Sequence, residues 1–301
     1  MGKVSVIIPS RRERFLQQTI DDIFRNARGD IEVIAVHDGT EPEVRLNHHP
    51  RLTQIFWNEN KGMRAGINEA ARIATGDYLL KSDGHCAFAE GFDEVLKADC
   101  DQDWIVIPRR YSLDAENWCR KPDKPPVDYH YLSYCFDKPA DDVTVSMHGS
   151  VWRERAKERA NILIDDEMSS QGSCWFTPRK YFLKRIGPLD DVNYGTFYQE
   201  AQEFGMKCWL SGGRMVINKK TWYAHLHKGK TYGTGYGFTN AQWATWKEGA
   251  LKAKKFTLEF WAGNQWAERV HDFEWLINKF NPPGWPANWQ AEVERFLGAR
   301  Q

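Results

Sequence analysis

Short runs of aliphatic and β-branched residues recur along the first half of the chain, each closed by a polar cluster. Lys3-Val4-Ser5-Val6-Ile7-Ile8-Pro9 predicts a strand, the polar Ser10-Arg11-Arg12-Glu13 a loop, and the apolar positions Phe15, Leu16, Ile20, Ile23 and Phe24 an amphipathic helix. Residues Ile31 to Val36 form a second such run, ending at His37-Asp38-Gly39-Thr40, and Thr53 to Trp57 a third. Gly62 to Thr75 reads as a helix in which Ala65, Ala70, Ala71 and Ala74 permit close packing on a sheet, with Gly76 as its C-cap. The run Gly76-Asp77-Tyr78-Leu79-Leu80-Lys81-Ser82 carries the next strand, which ends at Asp83-Gly84-His85. Strands alternating with helices predict a parallel, doubly wound sheet, whose ligands sit beyond the carboxyl ends of the strands. Pro9-Ser10, Asp38 and Asp83 all fall at such ends.

Beyond the strand Trp104 to Pro108 the periodicity fades. Residues 111–170, rich in proline, aromatics and mixed charge, read as an irregular insertion between a first segment, 1–110, and a third, 171–238. The third segment holds a strand over Gly172 to Thr177, a helix from Pro178 to Ile186, a helix from Phe197 to Met206 placing Glu200 and Glu203 on one face, and a strand from Arg214 to Ile217. Thr231-Tyr232-Gly233-Thr234-Gly235-Tyr236-Gly237 is too rich in glycine to hold one conformation unaided and reads as a lid. Residues 239–301 form a helical, tryptophan-rich extension.

Composition narrows the classes. A chain of 301 residues, 42% hydrophobic and 27% charged, can bury one large α/β domain or two lobes around a cleft. A formal net charge of +0 supplies no global field toward nucleic acid or anionic membrane. No stretch approaches the roughly 20 apolar residues of a membrane span, and the first strand begins at once, so a cytoplasmic location and no membrane partner are expected. The six cysteines lack C-x-x-C spacing and read as reduced thiols.

The candidate chemistry centres on Asp83-Gly84-His85. A carboxylate oxygen beside an imidazole nitrogen suits a borderline divalent ion such as Mn²⁺, to which a nucleoside diphosphate would add oxygens. The triplet alone is weak: Asp128-Tyr129-His130 has the same form, Asp101-Gln102-Asp103 is another acidic triplet, and an aspartate at a strand end also serves as a helix cap.

Spacing over the chain carries more. Gly62, Gly76, Asp83-Gly84-His85-Cys86, Glu200 with Glu203, Gly212-Gly213 and Ala224-His225 keep the order and separations of one set of enzymes. The chain resembles glycosyltransferases of the GT-A fold, a Rossmann-like α/β architecture, broadly of the family 2 type and more closely the catalytic core of the polypeptide N-acetylgalactosaminyltransferases. The likeness covers about residues 3–230; 239–301 have no counterpart in it. It implies a nucleotide-sugar donor, a UDP-sugar, and Mn²⁺ or another divalent cation held by Asp83, His85 and His225, with His227 as the neighbouring alternative to His225. It implies donor contacts at Pro9, Ser10, Asp38, Asp83 and Gly84, with Arg64 standing in for the family's displaced arginines. Lys228 falls where relatives carry a lid arginine against the diphosphate, and Glu200 and Glu203 would face donor sugar or acceptor. Ala201 occupies the position where inverting relatives carry an aspartate, so the resemblance favours retention.

Plainer structural roles compete at several positions. Glu200 and Glu203 suit a solvated helix face, Asp38 a turn with Gly39, and the tail tryptophans a helical core. A non-catalytic nucleotide- or glycan-binding module of the same fold is the alternative to a transferase; a pyrophosphorylase-like enzyme lacks its glycine- and lysine-containing phosphate loop here. Lys247, Lys252, Lys254 and Lys255, beside Trp243 and Trp246, raise nucleic acid as an acceptor, including a hydroxylated DNA base, alongside protein and glycan.

Overall fold

The structure is a computed structural model that describes residues 2–136, 147–195, 197–232 and 240–298. The Gly233 to Gly237 part of the expected lid lies outside the described residues.

Strand β1 (Val4–Ser10) puts Val4, Val6 and Ile8 on one face and Ile7 on the other, and the period of two sends them into separate cores on the two sides of the sheet. Helix α1 (Leu16–Asn26) buries Leu16, Ile20 and Ile23 against the first core. Strands β2 (Ile31–His37) and β3 (Leu52–Phe56) extend the sheet in parallel. Helix α2 (Met63–Ile73) lies on the opposite face. A Cβ added at its Gly66 would come 3.2 Å from Pro9 Cβ, so the small residues of α2 do allow close approach. The helix is capped at Ala74 rather than Gly76. Gly76 is there because a Cβ would lie 2.7 Å from the Lys3 carbonyl oxygen and 2.8 Å from the Ser5 nitrogen.

Strand β4 (Tyr78–Ser82) pairs in parallel with β1, and β5 (Cys86–Phe88), helix α3 (Phe92–Ala98) and β6 (Trp104–Asp114) follow. Residues 111–170 contain the end of β6, β7 (Cys119–Arg120), the hairpin β8 (His130–Ser133) with β9 (His148–Val151), helix α4 (Arg153–Glu158) and β10 (Ile164–Asp166). Strand β11 (Cys174–Pro178) then enters between β4 and β6, antiparallel to β4. The sheet is therefore mixed, ordered β10-β12-β6-β11-β4-β1-β2-β3 with β12 (Arg214–His225), and departs from the purely parallel expectation. The physical reason is the direction of entry: the chain arrives at the carboxyl end of β4, so Cys174 meets Ser82 and the Asp83 N–H donates to the Ser173 carbonyl at 2.9 Å.

The helix expected over 178–186 is a single turn, α5 (Arg179–Tyr181), running into a π-turn over Phe182–Ile186. The helix expected over 197–206 is displaced to α6 (Glu200–Leu210), because Gln199 adopts a left-handed φ of 52° and stops helical backbone on its N-terminal side. Strand β12 does not end at Ile217. A register shift between Asn218 and Trp222 lets it continue to His225 beside Cys86. Helices α7 (Gly229–Tyr232), α8 (Asn240–Ala262), α9 (Phe273–Phe280) and α10 (Trp289–Gly298) complete the chain. Trp261, Trp266 and Trp289 are buried and join the core that holds Trp175 and Trp209. Among the described residues no helix is long and apolar enough to cross a membrane.

Candidate active site

A cleft opens at the carboxyl ends of β1, β2 and β4. Pro9, Ser10, Asp38, Asp83, Gly84, His85, Glu200, His225 and Lys228 line it, together with Glu13, Lys81, Gly172, Phe197 and His227. On its floor one ligand atom from each of Asp83, His85 and His225 lies within 4.8 Å of the other two. The Asp83 Oδ2 oxygen is 3.2 Å from His225 Nε2 and 3.9 Å from His85 Nε2.

The surroundings orient each ligand. Lys81 Nζ donates to Asp83 Oδ1 at 2.7 Å and to the Gly172 carbonyl at 2.7 Å, leaving Oδ2 to face the histidines. Burial alone would raise the Asp83 carboxyl, yet Lys81, His225 and His85 hold it well below the usual carboxylate range. Burial would likewise lower Lys81, and Asp83 and Glu200 outweigh it, so the ammonium stays charged. His85 Nδ1 lies 2.9 Å from Glu13 Oε2, the carboxylate–histidine arrangement that directs the other nitrogen at a metal. Burial pushes His225 down to about 3, which keeps its imidazole neutral as a ligand must be. Its Nδ1 is buried with no partner among the described residues, so hydrogen bonding within the protein leaves this ring unsatisfied. One carboxylate and two imidazoles around a common point fit a borderline divalent cation.

Glu200 stands at the side of the cleft. Its Oε1 accepts from Trp175 Nε1 at 2.8 Å and its Oε2 is 4.0 Å from Lys81 Nζ. Burial raises its carboxyl, with Lys81 opposing. Gly172 makes room for it: φ is +84°, and a Cβ there would lie 2.5 Å from Glu200 Oε2.

The sequence of residues 5–183 matches the family described as glycosyl transferase family 2, more than half the chain. The chain belongs to glycosyl transferase family 2. Among the relatives of this family 2 chain, the Bacillus subtilis protein named uncharacterized glycosyltransferase EpsJ is 24% identical over 190 residues, which cover 55% of the chain and 52% of EpsJ. A Drosophila melanogaster protein with the provisional name polypeptide N-acetylgalactosaminyltransferase 13 is 26% identical over 256 residues, covering 75% of the chain and 42% of that protein. The family 2 chain thus spans about half the length of these relatives. The crystal structure of GalNAc-T7 with UDP, GalNAc and Mn²⁺ superposes with a TM-score of 0.62 at 12% identity, over 93% of the chain and 57% of GalNAc-T7. The fold is that of a GT-A glycosyltransferase with added C-terminal helices.

Not every residue singled out from the sequence of the family 2 chain reaches the cleft. Arg64 and Glu203 are both buried and pair with each other; Glu203 also holds Lys207 at 2.7 Å and the Asp190 N–H at 2.9 Å. Arg64 further donates to the Tyr198 carbonyl and stacks over Tyr194. Glu203, like Glu200, is buried and does not lie on the solvated helix face that the pattern also allowed for the two glutamates. Asp38 lines the cleft, but its carboxylate accepts from the Lys61 N–H at 2.6 Å, the Gly62 N–H at 3.0 Å and the Asn60 amide, closing the turn before α2. In the other Asp-x-His triplet, Asp128 pairs with Arg109 through two 2.7 Å contacts and His130 with Glu167, so that pair builds no metal site. His227 lines the cleft with its Nε2 3.3 Å from Arg110 Nη1, whereas His225 faces Asp83. In the tail, Lys254 lies over the Tyr198 ring and Lys255 near Glu259, while the side chains of Trp243, Trp246 and Lys247 lie outside the described residues.

Glu13, Lys81 and the Gly172-Ser173 turn were not singled out from sequence as site residues. Lys81 had a signal: a lysine at the end of an apolar strand, two positions before Asp83 and so on its face.

Proposed function

We propose that the chain is a metal-dependent glycosyltransferase that moves a sugar from a nucleotide donor, a UDP-sugar, to an acceptor hydroxyl. The observation that carries this reading is the meeting of Asp83, His85 and His225 at the cleft floor, with Lys228 on the cleft wall. These three side chains would hold a divalent cation such as Mn²⁺. When bound, such a cation supplies a positive charge that stabilises the departing nucleoside diphosphate. Lys228, which lines the cleft, would add an ammonium to the diphosphate side as a point charge without the fork of an arginine. Pro9, Ser10 and Gly84 line the nucleotide path, and Asp38 supports it by fixing the Asn60 to Gly62 turn. Glu200, aimed across the Gly172 gap, orients the donor sugar.

Retention is the stereochemical outcome we assign. Ala201 has no group that could deprotonate an acceptor, and Glu203 is engaged by Arg64 and Lys207 away from the cleft. In this reading residues 1–110 hold the donor and 171–238 supply the acceptor side and lid. The acceptor class is a hydroxyl on protein, glycan or a hydroxylated DNA base, the last reached through residues 239–301.

Donor hydrolysis followed by mass spectrometry against a panel of UDP-sugars, with Mn²⁺ and with chelator, tests the proposal. Cleavage of one donor that requires metal and disappears in Asp83→Ala is expected. Full turnover in Asp83→Ala would sink it, and tight nucleotide binding without turnover on any donor or acceptor would favour the binding-module alternative.

A further inference from the structure

Glu13 follows the first strand in a polar loop, and the fold is built around it. Arg12 adopts a left-handed φ of 46°, its N–H donating to Thr40 Oγ1 at 3.2 Å, which turns the chain so that Glu13 points under the Asp83-Gly84-His85 loop. Gly84 leaves the space: a Cβ there would lie 2.7 Å from Glu13 Cγ. The carboxylate is only 6% exposed and fully engaged. Oε1 accepts from the Phe15 N–H at 3.2 Å, while Oε2 alone takes both His85 Nδ1 at 2.9 Å and Lys228 Nζ at 2.5 Å. Burial opposes its ionisation, but His85 and Lys228 hold its carboxyl below the ordinary value.

One oxygen therefore serves two groups with different tasks. With its proton on Nδ1 and directed at Glu13, His85 keeps the Nε2 lone pair on the side of Asp83 Oδ2. Lys228, which donates and never accepts, spends its charge on Glu13 rather than on the cleft. A nucleoside diphosphate entering the cleft offers Lys228 stronger acceptors and draws it off. Glu13 Oε2 then bears on His85 alone, which strengthens the imidazole as a ligand.

We propose that Glu13 is a positioning residue that couples the two halves of the site, trading Lys228 to the incoming diphosphate for a firmer hold on His85, so that metal and diphosphate binding reinforce each other through one carboxylate oxygen. This rests on the transferase reading above, and the coupling is reciprocal by linkage.

The test is calorimetric titration with Mn²⁺ alone and with UDP alone in chelator, on wild type, Glu13→Gln, Lys228→Met and the double variant. In Glu13→Gln the Mn²⁺ affinity should fall by about 10-fold or more, as for other carboxylates behind a metal-binding histidine, while UDP in chelator binds severalfold tighter because Lys228 is released. Lys228→Met should weaken UDP and leave Mn²⁺ no weaker, and the gain in UDP affinity should vanish in the double variant. Opposite signs in one variant are what a merely structural role cannot produce. Glu13→Met, which keeps the side-chain length and removes the carboxylate, should repeat the pattern if Glu13→Gln fails to fold. Loss of both affinities in step with melting temperature, or Mn²⁺ affinity within about twofold of wild type, overturns the coupling. Wild type that binds neither Mn²⁺ nor UDP overturns the transferase reading itself, and the coupling with it.

Discussion

Lys81 Nζ lies 2.7 Å from Asp83 Oδ1, and this contact decides which oxygen of Asp83 faces the two histidines. The lysine is 1% exposed and Asp83 25%, so the pair is sheltered on one side and open to the cleft on the other. Lys81→Met should cost roughly 2–3 kcal/mol, below the ~3–5 kcal/mol for removing one partner of a fully buried pair. Without Lys81, Asp83 and Glu200 repel each other unless a cation intervenes. Thermal melts should therefore show Mn²⁺ raising the midpoint of the variant more than that of wild type. Equal shifts would mean that Lys81 does not balance the site's charge.

The Arg64 and Glu203 pair separates stability from turnover. Both side chains are at most 1% exposed and neither lines the cleft. Arg64→Met should cost about 3–5 kcal/mol by leaving Glu203 buried with less compensation. Turnover per folded molecule, measured well below the melting midpoint, should stay within about twofold of wild type. A large loss of turnover in fully folded protein would give Arg64 a role in the reaction.

Gly172→Ala should lower turnover far more than stability. The position has φ +84°, and the new methyl meets Glu200 Oε2. A stability loss of about 1–2 kcal/mol is expected from the left-handed backbone. Displacement of Glu200 should lower donor turnover by up to ~10²-fold, the scale of a misplaced group near a reacting centre. Steady-state kinetics beside a urea titration would check both.

Acid stability should depend on Glu32. Burial works against its ionisation, yet Ser5, Lys3 and Thr75 hold its carboxyl at about 2. A carboxyl depressed in the folded state binds its proton later than in the unfolded chain, whose value is about 4.3. Its contribution is present above pH ~4.3 and is lost as pH falls toward 2. Urea midpoints should therefore decline through that window, and Glu32→Gln should flatten the decline while lowering stability at pH 7. An unchanged slope in the variant would reject the assignment.

Much of the frame was legible because it depends on local pattern. The β1 alternation, the alanines of α2 and the strand-end positions of Pro9, Asp38 and Asp83 all follow from periodicity. The direction of β11 was not, because a five-residue apolar strand carries no mark of which way it will pair. Nor was the full length of β12, whose irregularity between Asn218 and Trp222 interrupts the alternation. Within the site, Asp83, His85 and His225 were named together by the family resemblance, and the fold brings one ligand atom of each within 4.8 Å of the others. The partners of Arg64 and Glu203 could not be read from the sequence, since a charge 139 positions away leaves no trace in the local pattern. Glu13 was hidden for a related reason: a glutamate in a polar loop is ordinary until Gly84 and Arg12 are seen to make a place for it.

Asp83 and His225 meet across 142 positions of chain, and they do so because β12 runs on to lie beside β5. During synthesis the floor of the cleft therefore exists in halves until β12 has emerged and paired. Contacts of such sequence separation form slowly relative to the hairpins and helices around them. Before that moment β6 lacks this neighbour and presents the unpaired backbone N–H and C=O groups that β12 will satisfy. Capacity to capture a divalent ion would then mark the end of folding, and a time course of Mn²⁺ uptake during refolding would follow the arrival of this last strand.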